Sequence, residues 1–320
     1  MTLYIIRRIL WGVALLFIVA ALTFLFFDVF PTANPAVLRA GRNPSPRAIA
    51  YISHELGLDR PVYTQFYDYV KGVVLHFDLG YSYYSSASVR SLIAERLPAT
   101  ISLAAGAVVI WLVSGLSIGI VSAVRRRTLL DRTAMGTALV LISAPEYWLG
   151  LIALFLFASD IGKLGIFPGA GSYVGLSSDP GKWLTSLILP WLVLAATFAA
   201  VYARLLRSSL LDVLDQDYIR TARAKGLSER RVVMRHGVRA AVTPIVTVLG
   251  LDLGTLLGGA LLIEVVFNIP GVGRLNWEAL THADFPIIEG TVLVAALFIV
   301  VANILVDISY AYLDPRVRFK

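Results

Sequence analysis

Leu97-Pro-Ala-Thr-Ile-Ser-Leu-Ala-Ala-Gly-Ala-Val-Val-Ile-Trp-Leu-Val-Ser-Gly-Leu-Ser-Ile-Gly-Ile-Val-Ser-Ala-Val124 runs for 28 residues without a charge. A helix rises 1.5 Å per residue, so about 20 apolar residues cross about 30 Å of hydrocarbon. This run is long enough to do so. Five more runs of the same kind lie at Ile9–Phe27, Thr133–Ala158, Trp183–Ala203, Ala240–Ile263 and Pro286–Tyr312. Acids interrupt three of them: Glu146, Asp252, and the pair Glu289 and Asp307. The composition agrees. Of 320 residues 58% are hydrophobic and only 15% charged, with a mean hydropathy of +0.76, whereas soluble domains carry roughly a quarter charged residues. A soluble enzyme, a disordered chain and a secreted disulfide scaffold are excluded, the last also because there is no cysteine. The expected fold is an all-α integral membrane protein with six transmembrane helices.

The net charge of +7 suits nucleic acid in a soluble protein, but here its distribution decides. Six spans place both termini on one side. Eighteen bases then fall on that side: Arg7 and Arg8, Arg125 to Arg127 with Arg132, nine between Arg204 and Arg239, and Arg316, Arg318 and Lys320. The short opposite loops hold three, Lys163, Lys182 and Arg274. Lys and Arg accumulate in short cytoplasmic loops, while long translocated segments largely escape that bias. Both termini are therefore expected inside, and nucleic acid is not needed as a partner.

Four regions follow: an N-terminal transmembrane helix over 1–30, an external segment over 31–96, a five-helix core over 97–312 and a short cytoplasmic tail over 313–320. The first apolar run exceeds a signal-peptide core, and Leu22-Thr-Phe-Leu-Phe-Phe27 offers no small-residue cleavage site, so it reads as a retained span. The external segment opens with proline-rich coil (Pro31, Pro35, Pro44, Pro46). A helix over Pro61–Phe77 and a turn at Asp78-Leu-Gly-Tyr-Ser82 follow. Small residues recur every four positions at Gly115, Gly119 and Ala123, and again at Gly250, Gly254 and Gly258, a spacing that lets helix backbones approach in lipid. Pro244 should kink its span.

Catalytic motifs are missing. There is no G-x-x-x-x-G-K-[ST] and no G-x-S-x-G, and His54-Glu-Leu-Gly-Leu58 is not a zinc H-E-x-x-H. The informative stretch is the connection Leu205–Arg239, far longer than the 2–8 residues usual between helices. Asp217 can cap a helix Tyr218–Lys225 that Gly226 ends in a left-handed turn. Ser228 can cap a second helix through Arg235, with Glu229 at its positive end. A helix-turn-helix DNA reader is a poor fit for a loop pinned at both ends against lipid. A basic segment resting on anionic lipid remains open. A docking elbow for a soluble partner accounts for the turn, the length and the tethering.

Arg220-Thr-Ala-Arg-Ala-Lys-Gly226 resembles the E-A-A-x-x-x-G loop of ABC importer permeases. The longer stretch Asp217–Val232, followed by Arg235-His-Gly-Val-Arg239 and Pro244, resembles the dipeptide/oligopeptide permease family. The likeness covers almost the whole chain and includes Gly57-Leu-Asp-Arg-Pro61, Asp78–Ser82, Arg96-Leu-Pro-Ala-Thr100, Arg125–Arg132, Glu264-Val-Val-Phe-Asn-Ile-Pro-Gly-Val-Gly273, Ala283-Asp-Phe-Pro286 and Leu313-Asp-Pro-Arg316. It points to the first of two permeases, the one with a long external segment, and implies a type I ABC importer permease fold in a bacterial cytoplasmic membrane. It further implies a second homologous permease, two ABC ATPase subunits that carry ATP and Mg²⁺, and an extracytoplasmic peptide-binding protein. This chain would itself hold no cofactor and catalyse nothing. The resemblance makes Arg220, Thr221, Ala222, Arg223, Ala224, Lys225, Gly226 and Leu227 the ATPase-docking residues. Ala222 and Gly226 would set packing and turn, and Arg223 and Lys225 would pair with acids on the ATPase. Arg220 and Thr221 stand where the broad consensus has Glu and Ala.

Acids inside spans are costly and face a cavity or a partner. Asp252 lines a pathway, or pairs with a base or hydroxyl of the second permease. Glu264 and Glu289 are expected at wet outer ends, where they could meet the receptor; Asp307 is expected in an interfacial ion pair. A nickel or glutathione importer shares the permease pattern. A stand-alone proton-coupled carrier using these acids is a remote alternative, for which the elbow would have no purpose.

Overall fold

The computed structural model describes residues 2–30, 35–39, 44–55 and 57–313; Pro31 and the tail beyond Leu313 lie outside them. Apolar residues without turn signals continue as long helices. The first, α1 (Thr2–Phe24), ends in a π-turn at Leu25–Val29. The segment after α1 is more helical than its prolines suggest: Pro35 and Pro46 open α2 (Pro35–Arg39) and α3 (Pro46–Glu55), because proline's missing N–H costs nothing in a first helical turn. The expected external helix is α4 (Val62–Lys71), extended by a π-turn over Gly72–His76.

The run that opened the sequence reading lies within α5 (Val89–Val124), 36 residues long. Next come α6 (Leu129–Ser143) and α7 (Glu146–Phe157), which divide the third apolar run with a bend of 105° at Ala144-Pro145. Glu146 lies in the first turn after that break. Helix α8 (Pro180–Leu214) is 35 residues, with Asp179 capping it through the N–H groups of Gly181 and Lys182. Those N–H groups, the Lys182 one foremost, hold the Asp179 carboxyl below the usual carboxylate range.

The elbow is α9 (Asp217–Ala224) and α10 (Glu229–Arg231), which passes through a π-turn at Val232–Val238 into α11 (Arg239–Ala241). A bend of 49° at Val242, with Pro244 in the first turn beyond it, leads into α12 (Thr243–Leu257). This helix stops short of the expected Ile263, and the chain turns at Gly258-Gly259 into α13 (Leu261–Val266) and α14 (Val272–His282). The last helix is α15 (Phe285–Leu313). Four helices are long and apolar enough to cross a bilayer by themselves, and the two bent pairs qualify if each is one span. Among the described residues the β structure amounts to two isolated bridges, and the helices are joined by turns and coil.

The glycine stripes mark the closest helix contacts. A β-carbon on Gly115 would stand 2.8 Å from the Ala199 carbonyl oxygen, and one on Gly119 would stand 2.8 Å from that of Ala203, so α5 lies backbone to backbone against α8. Gly250, Gly254 and Gly258 also pack closely on α15, at the Val306 side chain, the Ile299 backbone and the Ala295 methyl. Trp111, wholly buried, stacks on Phe198 with ring centroids 4.5 Å apart and fills the α5–α8 seam.

Because the Gly115 contact is to backbone, Gly115→Val has no side chain to push aside. We expect it to cost about 1–3 kcal/mol through overpacking, whereas Gly136→Ala, with nothing within 4 Å, should be neutral or better. Thermal unfolding of both variants in one detergent checks this; equal midpoints would refute the close approach.

Candidate functional site

The elbow is built on a small core of its own. Ile219, Ala222 and Val232 are buried together, with Val213, Leu214 and Leu227 packed around them. Gly237 lets the second arm lie on α8, since a β-carbon there would meet Leu210 at 3.0 Å and Leu214 at 3.3 Å. The Ser209 hydroxyl donates to the Ala241 carbonyl at 3.0 Å, fixing the return arm to α8.

The turn has a plain cause. Gly226 has φ +75° with no atom near a would-be β-carbon, so the conformation and not the space requires glycine. The caps differ from expectation. Gln216, not Asp217, takes the N-cap position of α9, and Asp217 instead meets Arg220 at 3.4 Å and accepts the Thr221 hydroxyl on its carbonyl. Ser228 does stand at the second N-cap, without a side-chain hydrogen bond. Glu229 does more than favour that helix end: its carboxylate accepts from Arg223 Nε at 3.1 Å and Nη2 at 2.7 Å, closing the elbow across the turn. The pair is exposed, so its contribution is about 0.2–1 kcal/mol; its effect is to orient. Of the eight predicted residues, Ala222 faces inward and Leu227 is half-buried. Arg220, Thr221, Arg223, Ala224, Lys225 and Gly226 are exposed on one connected surface.

A bidentate ion pair, not anticipated from the sequence, ties α6 to the end of α8 that leads into the elbow. Arg207 on α8 donates to both carboxylate oxygens of Asp131, at 2.6 and 2.8 Å, and Asp131 also accepts the Arg127 N–H at 2.9 Å. Asp131 is buried. A lone acid in the base-rich stretch Arg125–Arg132 was the available signal; its partner, 76 residues away, was not readable from spacing.

The membrane acids fall out differently from expectation. Asp252, half-buried on α12, accepts the Tyr202 hydroxyl of α8 at 2.7 Å, so the hydroxyl it meets belongs to its own chain. Glu264 is not wet: it is wholly buried, and so is all but 9% of Glu289. The Glu264 carboxylate accepts the Thr100 hydroxyl at 2.7 Å and the Arg274 N–H at 2.9 Å, and Thr100 in turn accepts the Val272 N–H at 2.9 Å. The start of α14 is thus capped by side chains from two other elements. Asp307 does form the expected ion pair, with Arg8 at 2.7 Å. On the opposite side, Asp284 accepts the Ser82 hydroxyl and the Tyr83 and Tyr84 N–H groups, joining two motif pieces some 200 residues apart.

Over residues 115–319 the chain matches the family described as the binding-protein-dependent transport system inner membrane component, and over residues 1–104 the N-terminal membrane-component family of the same systems. The chain belongs to this family. It is an ABC importer permease, an integral inner-membrane subunit that works with separate ATPase and binding-protein components. Similar proteins include a permease named for peptide transport in Brucella abortus (strain 2308), 43% identical over 319 residues and all of both chains. Glutathione transport system permeases of Escherichia coli O6:H1 and Salmonella typhi are each 40% identical over 317 residues and 99% of both chains. In the permease the Glu264–Gly273 and Ala283–Pro286 pieces are the ones gathered by Glu264 and Asp284.

Glu264→Gln would put an amide N–H₂ where a carboxylate oxygen now meets a buried donor. We expect a loss of about 1–3 kcal/mol, the penalty of leaving such a donor unmatched, read as a lower unfolding midpoint in detergent. An unchanged midpoint would mean that Glu264 does not cap α14.

Proposed function

We propose that this permease is the first of two homologous subunits of a di- or oligopeptide importer. It crosses the membrane six times with both termini in the cytoplasm, and its loop 205–239 docks on an ATPase subunit. ATP and Mg²⁺ belong to the two ATPases, and an extracytoplasmic protein delivers the peptide. The observation that carries the reading is the elbow. An exposed surface of Arg220, Thr221, Arg223, Ala224, Lys225 and Gly226 is mounted on its own core at the end of an uninterrupted α8, where the bases bias that side inward. A segment merely resting on lipid needs neither the core nor the turn closed by Arg223 and Glu229.

The mechanism that follows is mechanical. An ATPase cleft closing around α9 would displace a body whose return arm is fixed to α8 by Ser209 and Gly237, with α8 itself tied to α6 by the Asp131–Arg207 pair. Motion at the elbow then becomes motion of α8 and α12, the helices that Tyr202 and Asp252 join. Peptide as substrate is supported by the name of the Brucella relative. The glutathione permeases are a second reading within the same class, since glutathione is itself a modified tripeptide.

Gly226→Pro cannot adopt the required φ, and Arg223→Glu sets two carboxylates face to face. Both should insert in the membrane yet lower peptide-stimulated ATP hydrolysis of the reconstituted importer by about tenfold or more, the scale of a typical coupling energy. Undiminished stimulation would refute the docking assignment. Peptide uptake by this subunit alone, driven by a proton gradient without ATPases, would refute the importer reading.

A further inference from the structure

At the end of α1 and α15 that carries the external segment, a cavity of about 300 Å³ lies beneath α4. Asp28, Tyr69 and Glu289 line it, and Asp28 Oδ2, the Tyr69 hydroxyl and Glu289 Oε1 are all buried without a hydrogen-bond partner. Glu289 is nine-tenths buried. Thr23, nearby on α1, already spends its hydroxyl on the Ala20 carbonyl. Two buried carboxylates facing one phenolic O–H have more acceptors than donors, a set that suits the N–H groups of a cation. Two arginines, Arg39 and Arg60, line the same cavity, Arg60 sharing its charge with Asp68 at 3.3 Å.

A second cavity, about 340 Å³, adjoins the first at Leu79 and continues along the same elements. Its walls are Val13, Phe17 and Ala20 on α1, Val73 of the external helix, and Leu293 and Leu297 on α15, and none of its lining residues is polar. The order along both helices is the same. On α1 the apolar residues 13 to 20 lead to Phe24 and Asp28, and on α15 Leu297 and Leu293 lead to Glu289 and Pro286. From Val13 to Phe24 is about 16 Å of helix, close to one leaflet of a hydrocarbon core about 30 Å thick.

We propose that the two cavities are one site for a phospholipid whose head carries a primary ammonium. The ammonium has three N–H donors, matching Asp28 Oδ2, Glu289 Oε1 and the Tyr69 oxygen. The phosphate faces Arg39 and Arg60, whose planar donors suit it, and one acyl chain fills the apolar groove. A peptide in that groove would leave its N–H and C=O groups unpaired; an acyl chain has none to pair. The lipid thereby completes the packing between the first span, the external helix and the last span. The inference rests on the chain being embedded in a bilayer, not on its substrate, so its failure would leave the importer reading intact.

The test is native mass spectrometry of the full chain, purified with its partner subunits from nanodiscs of equal phosphatidylethanolamine and phosphatidylcholine with matched acyl chains. Wild type should retain phosphatidylethanolamine over phosphatidylcholine by about tenfold, the value of one hydrogen-bonded charge. Glu289→Gln and Asp28→Asn should each erode that preference, and Leu293→Trp, which fills the groove, should lower retention of both lipids. If one acid variant fails to assemble with its partners, the other carries the comparison. Equal retention of the two lipids by wild type would overturn the proposal. So would a preference unchanged in both acid variants, or release of the lipid by added trialanine, which would make the occupant a peptide.

Discussion

A chain that leaves the helix within a membrane exposes N–H groups that hydrocarbon cannot satisfy, each at a cost of several kcal/mol. This permease breaks its helix between α12 and α14, where backbone turns pair most N–H groups and a buried carboxylate organises the rest. Glu264 takes the Arg274 N–H and the Thr100 hydroxyl, and Thr100 takes the Val272 N–H, so the broken stretch is held to α5 by a chain of hydrogen bonds. Gly271 and Gly273 press directly on that carboxylate, where no side chain would fit. The route from α12 to α15 exists because those partners are present. With it come the position of α15 and the external contacts that Asp284 makes.

The rest of the packing divides by the same logic. Where helices run unbroken, as in α5 and α8, small residues and aromatic rings hold them together. Where the backbone turns or a helix begins, charged and hydroxyl groups do the work: Asp179 at the start of α8, Asp131 at the start of α6, Asp284 before α15. Arg207 and Tyr202 place polar partners on α8 itself, one near its end and one mid-helix. The helix that carries the elbow is thus also the one most thoroughly cross-linked to its neighbours.

Much of this was legible beforehand. The six apolar runs, the Gly115–Gly119 and Gly250–Gly258 seams, the break before Pro244 and the glycine turn at 226 all follow from local chemistry that one stretch of chain displays. The errors came from chemistry that needs two stretches. Glu264 near a span boundary looked wet, because the donors that satisfy it, Thr100 and the Arg274 N–H, come from elsewhere. The Arg223–Glu229 pair went unseen, because it spans a turn whose closure no spacing rule describes. Asp252 was recognised as a membrane acid, but Tyr202, 50 residues earlier, carries no mark that it is the partner.

Helices α5 and α8 are each longer than the bilayer is thick, and they overhang it at opposite ends. Val89–Arg96 extends α5 about 12 Å beyond its apolar run on the side of the external segment, and Arg204–Leu214 extends α8 about 16 Å beyond its own run towards the elbow. Between the overhangs the two meet at Gly115 and Gly119, where backbone touches backbone and little can slide. Such a pair is a lever with its fulcrum inside the membrane. Joined there, the two helices form one stiff unit whose polar overhangs project from opposite ends of the apolar stretch.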